Sequence, residues 1–142
     1  MSIAGLRFGH VAFRVFDTER SVRWYADAFG AKKIYHAEAN GERPELMFLE
    51  FARGQLIEFF TGGKNMNASP ADPIGYIHFC LVVDNLDQAL EHLAKMNVKP
   101  ERRFIGRAKQ RIAFISDPDG NSIELMEIPP ESEIYASDSL SR

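Results

Sequence analysis

The stretch Ile112-Ala-Phe-Ile-Ser-Asp-Pro-Asp-Gly-Asn-Ser-Ile-Glu-Leu-Met-Glu-Ile128 decides the fold of this chain. It predicts a β-hairpin: an apolar run, a turn at Asp117-Pro118-Asp119-Gly120 and a second strand that starts at Asn121. Proline presets a φ angle for the turn, and glycine readily adopts the positive φ that ends it. Glu124 lies in the middle of the apolar second strand. A carboxylate there is costly to bury unless it is paired or holds a metal.

An earlier part of the chain repeats this stretch. Residues 46–60 match residues 112–126 without a gap at an offset of 66, and the strands that lead each half match at an offset of 68. Internal repetition of this kind predicts two units with one architecture. The matched positions of identical type are Phe48 and Phe114, Gly54 and Gly120, Ile57 and Ile123, Glu58 and Glu124, and His10 and His78.

Both halves predict the element order β-α-β-β-β, which makes the fold class α+β. Strands are expected at residues 9–16, 34–38, 45–51 and 55–60 in the first half, and at 74–83, 100–105 and in the 112–128 hairpin in the second. A helix capped by Asp17 and ended by Gly30 follows the first strand. A helix capped by Asp84 or Asn85 and extending to Met96 follows the fifth strand.

The predicted organisation is a single domain, residues 1–142, made of module 8–61 and module 74–128. Glycine and proline in residues 61–73 are typical of a linker between the modules. Residues 129–142 are polar, and we interpret them as an arm that is frayed or laid on a neighbouring molecule.

Composition restricts the classes of partner. With 45% hydrophobic and 26% charged residues, the chain resembles an ordinary soluble globular protein. A formal net charge of −3 argues against nucleic acid as a partner. Cys80 is the only cysteine, which excludes an internal disulfide and suits a reducing cytoplasm. No signal peptide and no apolar run of membrane-spanning length is seen, so we expect a cytoplasmic protein without a membrane partner.

One basic run stands apart from the acidic balance and permits two interpretations. It is either a solvated strand and loop, or a rim that binds an anionic substrate. The run consists of Arg102, Arg103, Arg107, Lys109 and Arg111.

Strand parity predicts where the repeated histidine and glutamate lie. Residues two apart in a strand share a face, so each module puts one imidazole and one carboxylate on the face opposite its helix. If the two sheets curve toward each other, four ligands meet in a cup. The predicted ligands are His10, Glu58, His78 and Glu124, with Leu56, Phe60 and Met126 as apolar neighbours on the same faces.

This ligand set suits a divalent first-row metal. Two imidazole nitrogens and two carboxylate oxygens fit Ni, Co, Zn, Mn or Fe(II) and leave positions for water or substrate. A single strand histidine is more often a core residue, but the recurrence of the pair favours a metal site. His36 and His92 lack such a pairing. Cys80 has no base partner, and we interpret it as a lining residue rather than a nucleophile.

The repeated modules, the segment Gly-His-Val-Ala-Phe-Arg-Val from residue 9 and the segment Asp-Pro-Asp-Gly-Asn-Ser-Ile-Glu-Leu from residue 117 resemble the vicinal oxygen chelate superfamily. The nearest likeness is to glyoxalase I (lactoylglutathione lyase) of the short bacterial type, over about residues 8–128. The His/Glu/His/Glu order is similar to that family's metal-ligand order. Fosfomycin-resistance and extradiol-dioxygenase relatives use a His/His/Glu triad instead, so Glu58 favours the glyoxalase branch.

The resemblance implies a fold, an activity and an assembly. It implies a curved mixed sheet around a metal-binding cup, in a homodimer that acts on a small molecule. The activity is conversion of a 2-oxoaldehyde hemithioacetal to a 2-hydroxyacyl thioester through an enediolate. Glu124 would be the base, and Glu58 would stay on the metal or act on the opposite epimer.

The resemblance also bears on glutathione as the thiol co-substrate. Arg14 matches the arginine that holds the glutamyl carboxylate of glutathione in glyoxalase I. Where the family has a glutathione-binding asparagine, four residues after the first-module glutamate, this chain has Gly62. The identity of the thiol co-substrate is therefore not fixed by the resemblance. The alternatives are an epimerase or non-haem iron dioxygenase on the same scaffold, and a small-molecule-binding protein without turnover.

Overall fold

The computed structural model of the chain describes residues 3–65, 74–132 and 134. The chain divides into two compact units, Met1–Met66 and Asn67–Arg142. Each unit has the element order β-α-β-β-β, so the predicted α+β fold with two βαβββ modules is confirmed. Within these described ranges, no helix has both the length and the apolar character needed to cross a membrane.

The first unit is a mixed four-stranded sheet with one helix. Its strands lie in the order β1-β4-β3-β2, where β1 runs parallel to β4 and the other neighbours are antiparallel. Its elements are β1 (His10–Arg14), α1 (Thr18–Phe29), β2 (Lys32–Ala37), β3 (Leu46–Ala52) and β4 (Gln55–Phe60).

The second unit repeats this topology. Its strands lie in the order β5-β8-β7-β6, again with only the first pair parallel. Its elements are β5 (Phe79–Val82), α2 (Leu86–Ala94), β6 (Arg102–Ile105), β7 (Arg111–Ser116) and β8 (Ser122–Glu127).

Both helices begin with the same kind of cap. The Asp17 carboxylate accepts a hydrogen bond from the N–H of Arg20, and the Asn85 side chain accepts one from the N–H of Gln88, both at 2.9 Å. These caps satisfy N–H groups that have no partner within the helix. Gly30 ends α1 with a left-handed φ of 69°, as predicted. The cap of α2 is Asn85, which settles the choice between Asp84 and Asn85.

One face of each sheet packs on its helix. Tyr25 of α1 is fully buried, and its ring centroid lies 5.1 Å from that of Phe59 and 6.2 Å from that of Phe51. In the second unit, Leu93 of α2 and Leu125 of β8 are buried to about the same degree. Because side chains alternate along a strand, the opposite face of each sheet is left for other contacts.

The expected strand over residues 74–83 is too long. β5 begins at Phe79, and Ile77, inside the expected strand, is 56% exposed. The register explains the late start, because Phe79 pairs with Ile123 and β8 itself begins one residue earlier, at Ser122. Residues before Phe79 therefore have almost no residues of β8 opposite them with which to form backbone hydrogen bonds. The second helix is also shorter than predicted: α2 ends at Ala94, and Met96 lies beyond it.

Two segments expected to be loose are partly held. Within the predicted linker, the N–H of Thr61 donates to the Glu45 carbonyl and that of Gly63 donates to the Val15 carbonyl. A β-carbon on Gly63 would lie 3.0 Å from the Val15 backbone, so this close approach requires glycine. In the segment 129–142, which we interpret as an arm frayed or laid on a neighbour, Ser132 is buried, and the rest of that interpretation stays a prediction. Residues 66–73, 133 and 135–142 lie outside the described residues.

A single carboxylate organises the turn between β7 and β8. Asp117, which is buried, accepts through Oδ1 from the N–H groups of Asp119 (2.9 Å) and Asn121 (2.8 Å). Its Oδ2 accepts from Nδ2 of Asn121 at 2.9 Å. Gly120 has a φ of 80°, the left-handed conformation predicted for the end of the turn.

Replacing Asp117 is therefore expected to be costly. Asp117→Ala should lower the free energy of unfolding by about 2–3 kcal/mol, because two buried N–H groups lose their acceptor. Urea unfolding followed by circular dichroism measures the change. Asp84→Ala, which removes an exposed carboxylate before α2, is the control and should change stability by less than about 0.5 kcal/mol. Equal losses in the two variants would contradict a stabilising role for the Asp117 hydrogen bonds.

Candidate functional site

The first unit holds a histidine and a glutamate against each other. Nε2 of His10 on β1 lies 3.1 Å from Oε2 of Glu58 on β4. The parallel register pairs Ala12 with Glu58, so His10 is two residues away on the same face. The Glu58 side chain is only 11% exposed and that of His10 is 42% exposed. The carboxylate thus lies in the sheet surface, with the imidazole open to solvent above it.

The second unit builds the same pair. Nε2 of His78 lies 2.7 Å from Oε2 of Glu124, and the side chains are 26% and 12% exposed. The register pairs Cys80 with Glu124, and His78 again lies two residues earlier in the chain. His78 precedes β5 instead of lying within it, and the pair forms nevertheless. The structure brings together the two members of each predicted pair.

Each imidazole rests on an aromatic ring that sequence reasoning matched in the repeat but did not assign to the site. The ring of His10 meets Phe48 edge-on, with centroids 5.1 Å apart, and that of His78 meets Phe114 in the same way at 5.0 Å. Phe48 and Phe114 are the cross-strand partners of the two glutamates. The sequence does carry a signal for this role, because each phenylalanine precedes its glutamate by ten residues. Each His–Glu pair therefore has a phenylalanine ring packed against its imidazole.

The predicted substrate-lining residues lie on the faces expected. Arg14 is exposed and pairs with Phe60, while Leu56 pairs with His10, which places all of them on the Glu58 face. Leu56 and Phe60 are half-buried. Met126, two residues after Glu124, is 9% exposed. Their contact with a substrate remains a prediction.

The arginines of the basic run have two different environments. Arg111 and Arg103 both hydrogen-bond to Asp87 and hold the pKa of that carboxyl below its ordinary value. Arg111 also donates to Glu127, whose carboxylate accepts from the N–H of Leu86 at 2.7 Å. These two arginines therefore tie the start of α2 to its sheet. Both side chains stay partly exposed, 45% for Arg103 and 31% for Arg111, so they are solvated surface residues that also form ion pairs.

Arg102 has a different environment. It pairs with Phe114 across β6 and β7, and its guanidinium carbon lies 4.2 Å from the centroid of that ring. Phe114 in turn pairs with Glu124, so Arg102 is on the Glu124 face. A guanidinium spread over an aromatic ring is held in place while its N–H groups stay free to bind an anion.

His36 is more engaged than the sequence indicated. Its Nε2 lies 2.7 Å from Glu45 and 3.7 Å from Glu38, where β2 and β3 meet their connecting loop. His36 has no counterpart in the repeat, but the β2–β3 hairpin brings Glu45 beside it. The three side chains form a surface group of metal-ligating type. Exposed ion pairs account for it fully.

Cys80 lies beside Glu124 and is a poor nucleophile. Burial of the thiol and then the Glu124 charge raise the pKa of Cys80 to about 12. At neutral pH the sulfur is therefore a protonated thiol and not the reactive thiolate. This fits the interpretation of Cys80 as a lining residue.

The two pairs have the chemistry that a divalent metal requires. Each offers one imidazole nitrogen and one carboxylate oxygen with their ligating atoms aimed at each other. Both carboxylates are nearly buried. Among the residues that the structure describes, neither forms an ion pair with an arginine or a lysine. Buried carboxylates usually have such a partner or a metal. Nitrogen and oxygen donors of this kind fit Zn, Ni, Co, Mn and Fe(II).

Comparison with known proteins agrees with the fold. A family model described as the Glyoxalase/Bleomycin resistance protein/Dioxygenase superfamily matches residues 7–125. The chain is 28% identical over 132 residues to a lactoylglutathione lyase of Arabidopsis thaliana, covering 91% of this chain and 47% of that relative. It is 30% identical over 129 residues to the lactoylglutathione lyase of Salmonella typhimurium, covering 86% and 93%. It spans about half the length of its plant and yeast relatives.

Solved structures share the architecture. A glyoxalase family protein from Enterococcus faecalis has a TM-score of 0.78 and 18% identity, over 88% of this chain and 100% of that one. The fosfomycin resistance protein FosX of Listeria monocytogenes, complexed with Mn(II) and sulfate, has a TM-score of 0.69 and 19% identity, over 94% and 99%. At these identities the likeness shows the fold.

Proposed function

Because the chain belongs to the Glyoxalase/Bleomycin resistance protein/Dioxygenase superfamily, we propose that it is a divalent-metal-dependent isomerase of the glyoxalase I type. The observation that carries the proposal is the His–Glu pair that is built twice, with the same aromatic support each time. Its substrate is the hemithioacetal that a 2-oxoaldehyde forms with a thiol. The product is the thioester of a 2-hydroxy acid.

The proposed metal ligands are His10, Glu58, His78 and Glu124. Each pair would supply one imidazole nitrogen and one carboxylate oxygen to a metal ion. The resemblance further implies a homodimer. The near-burial of both carboxylates supports this assignment. FosX, which shares the fold, was solved with Mn(II). The ion would supply Lewis-acid polarisation of the substrate's vicinal oxygens.

Glu124 is the proposed general base. Its carboxylate removes the proton from the hemithioacetal carbon, which gives an enediolate, and returns the proton to the neighbouring carbon. The transfer is an internal redox change: the thiol-bearing carbon is oxidised to a thioester, and the adjacent carbonyl is reduced to an alcohol. Glu58 either remains a ligand or acts as the base for the opposite epimer. The apolar side chains Leu56, Phe60 and Met126 exclude water from the proton transfer.

Two arginines are proposed to bind the anionic end of the substrate. Arg14 shares the Glu58 face, and Arg102 lies over Phe114 on the Glu124 face. Gly62, where the resemblance leads one to expect a glutathione-binding asparagine, has a φ of 91°, which strains any side chain. Glutathione is thus one candidate thiol among several that carry a carboxylate.

The contribution of Arg102 can be measured separately. Arg102→Ala is expected to lower kcat/KM about 10- to 100-fold for a thiol that carries a carboxylate, because one charge-assisted hydrogen bond is lost. The thioester of an uncharged thiol such as 2-mercaptoethanol should form at nearly the wild-type rate. Arg107→Ala, in the loop after β6, is the matched control. Equal losses with charged and uncharged thiols would contradict anion binding by Arg102.

Turnover after metal replacement tests the proposed function. Protein stripped by a chelator would be supplied in turn with Ni, Co, Zn, Mn and Fe(II), and thioester formation from the methylglyoxal–glutathione adduct would be followed by ultraviolet absorbance. Turnover restored by at least one metal supports the proposal. Stoichiometric metal binding without turnover of any thiol adduct would refute it. An oxygen requirement with Fe(II) would indicate a dioxygenase instead.

A further inference from the structure

The start of the C-terminal segment lies on the second sheet. Ile134 and Ile128 pack against a buried apolar cluster formed by Ile112, Phe114 and Met126. Ile112 and Met126 are cross-strand partners, and Phe114 pairs with Glu124. Because paired residues share a face, this cluster is on the Glu124 face. Ile134 therefore covers part of the surface on which the proposed substrate is bound.

Specific hydrogen bonds hold this segment, residues 129–132 and 134, which we term the strap. Ser132 is 6% exposed, and its hydroxyl donates to the carbonyl of Ala108 in the loop between β6 and β7. The N–H of Ser132 donates to the carbonyl of Pro129 at 2.9 Å, which closes a turn. Pro129 and Pro130 have fixed φ angles, which lowers the entropy lost when the strap is ordered.

Ile134 packs on two neighbouring rows of this face. Cross-strand pairing aligns Phe104, Ile112 and Met126 in one row, and Arg102, Phe114 and Glu124 in the adjacent row. The cluster under Ile134 contains Ile112 and Met126 of the first row and Phe114 of the second. Ile134 therefore borders the row that carries the proposed base, Glu124, and the proposed anion-binding group, Arg102.

We infer that Ile134 is a specificity-determining residue that limits the size of the carbon substituent on the 2-oxoaldehyde. The inference rests on the proposed function. The reacting carbons of the substrate would lie at Glu124, and its anionic group would bind Arg102. The substituent on those carbons would then extend toward Ile134, which limits its size. A methyl substituent is therefore expected to be accepted more readily than a phenyl ring.

Two opposite substitutions test this inference in metal-loaded protein. Ile134→Ala is expected to raise the ratio of kcat/KM for the phenylglyoxal adduct to that for the methylglyoxal adduct by about 10-fold, the scale for a few methylenes in an apolar pocket. Ile134→Trp is expected to lower that ratio. The matched control is Ile105→Ala, which removes the same atoms from an exposed side chain on β6. An unchanged ratio in both Ile134 variants would overturn the inference.

A second measurement separates failure of the inference from failure of the proposed function. If Ile134 covers the cluster, Ile134→Ala should increase binding of the dye 1-anilinonaphthalene-8-sulfonate and lower Tm in the metal-free protein, and Ile105→Ala should do neither. Wild-type protein that turns over no hemithioacetal would refute the proposed function while these changes still test the strap. If neither dye binding nor Tm responds in Ile134→Ala, Ile134 does not cover the face.

Discussion

The Glu124→Gln variant is expected to retain its metal and to lose about 10²- to 10⁴-fold in kcat, the range typical of a missing general base. Glutamine keeps an oxygen that can remain near His78, and it preserves the volume of a side chain that is 12% exposed. It cannot accept a proton at neutral pH. Metal content by atomic emission and hemithioacetal turnover, measured on one preparation, provide the comparison.

The internal repeat supplies the matched control for this variant. Glu58→Gln makes the same chemical change in the first unit, at a side chain that is 11% exposed and has the same type of histidine partner. If Glu124 is the main base, Glu58→Gln should lose less activity than Glu124→Gln on a racemic adduct. Full activity in Glu124→Gln with metal bound would show that Glu124 is not the base. Equal losses in the two variants would indicate that each glutamate serves one epimer.

Removal of either ligand histidine is expected to weaken metal binding by more than about 100-fold, beyond the loss usual for groups that only support a ligand. His10→Ala and His78→Ala each leave a nearly buried glutamate without its nitrogen partner. Isothermal titration with Ni or Zn measures the affinity directly and does not require turnover.

A third histidine is the control for these titrations. His36→Ala removes an imidazole that also lies 2.7 Å from a glutamate, at a surface group unrelated to the repeated pairs. It should leave the affinity within about threefold of wild type, the usual context dependence of such effects. Metal binding that is lost in His36→Ala but kept in His10→Ala would place the ion at the His36, Glu38 and Glu45 group instead.

The repeat explains why so much of the fold was predictable. Two alignments between the halves, at offsets of 66 and 68 residues, fix element order, and strand alternation then fixes which residues share a face. The β4 bounds match the prediction, and both His–Glu pairs form within their units. These properties depend on the order of apolar and polar residues and on the alternation of side chains along each strand. Both can be seen in a single sequence.

The features that sequence analysis missed depend on contacts between distant residues. Whether a strand extends to residue 74 depends on where its partner strand turns, and β8 begins only at Ser122. Polar composition predicted a C-terminal arm that is frayed or laid on a neighbour, and it gave no sign that one isoleucine and one serine hydroxyl contact the second unit. Arg102 was one of five basic residues in a run, and only pairing across β6 and β7 distinguishes it from Arg103.

The outermost strands β2 and β6 have a consequence for self-association. Each is the last strand of its sheet, and each begins with two adjacent cations followed by two exposed apolar residues, Lys32-Lys33-Ile34-Tyr35 and Arg102-Arg103-Phe104-Ile105. An exposed strand with free backbone groups and apolar side chains is a template for aggregation, and bulky hydrated charges on the same strand oppose pairing with another chain. Salt screens such charges, so concentrated protein is expected to aggregate through these edges more readily as ionic strength rises.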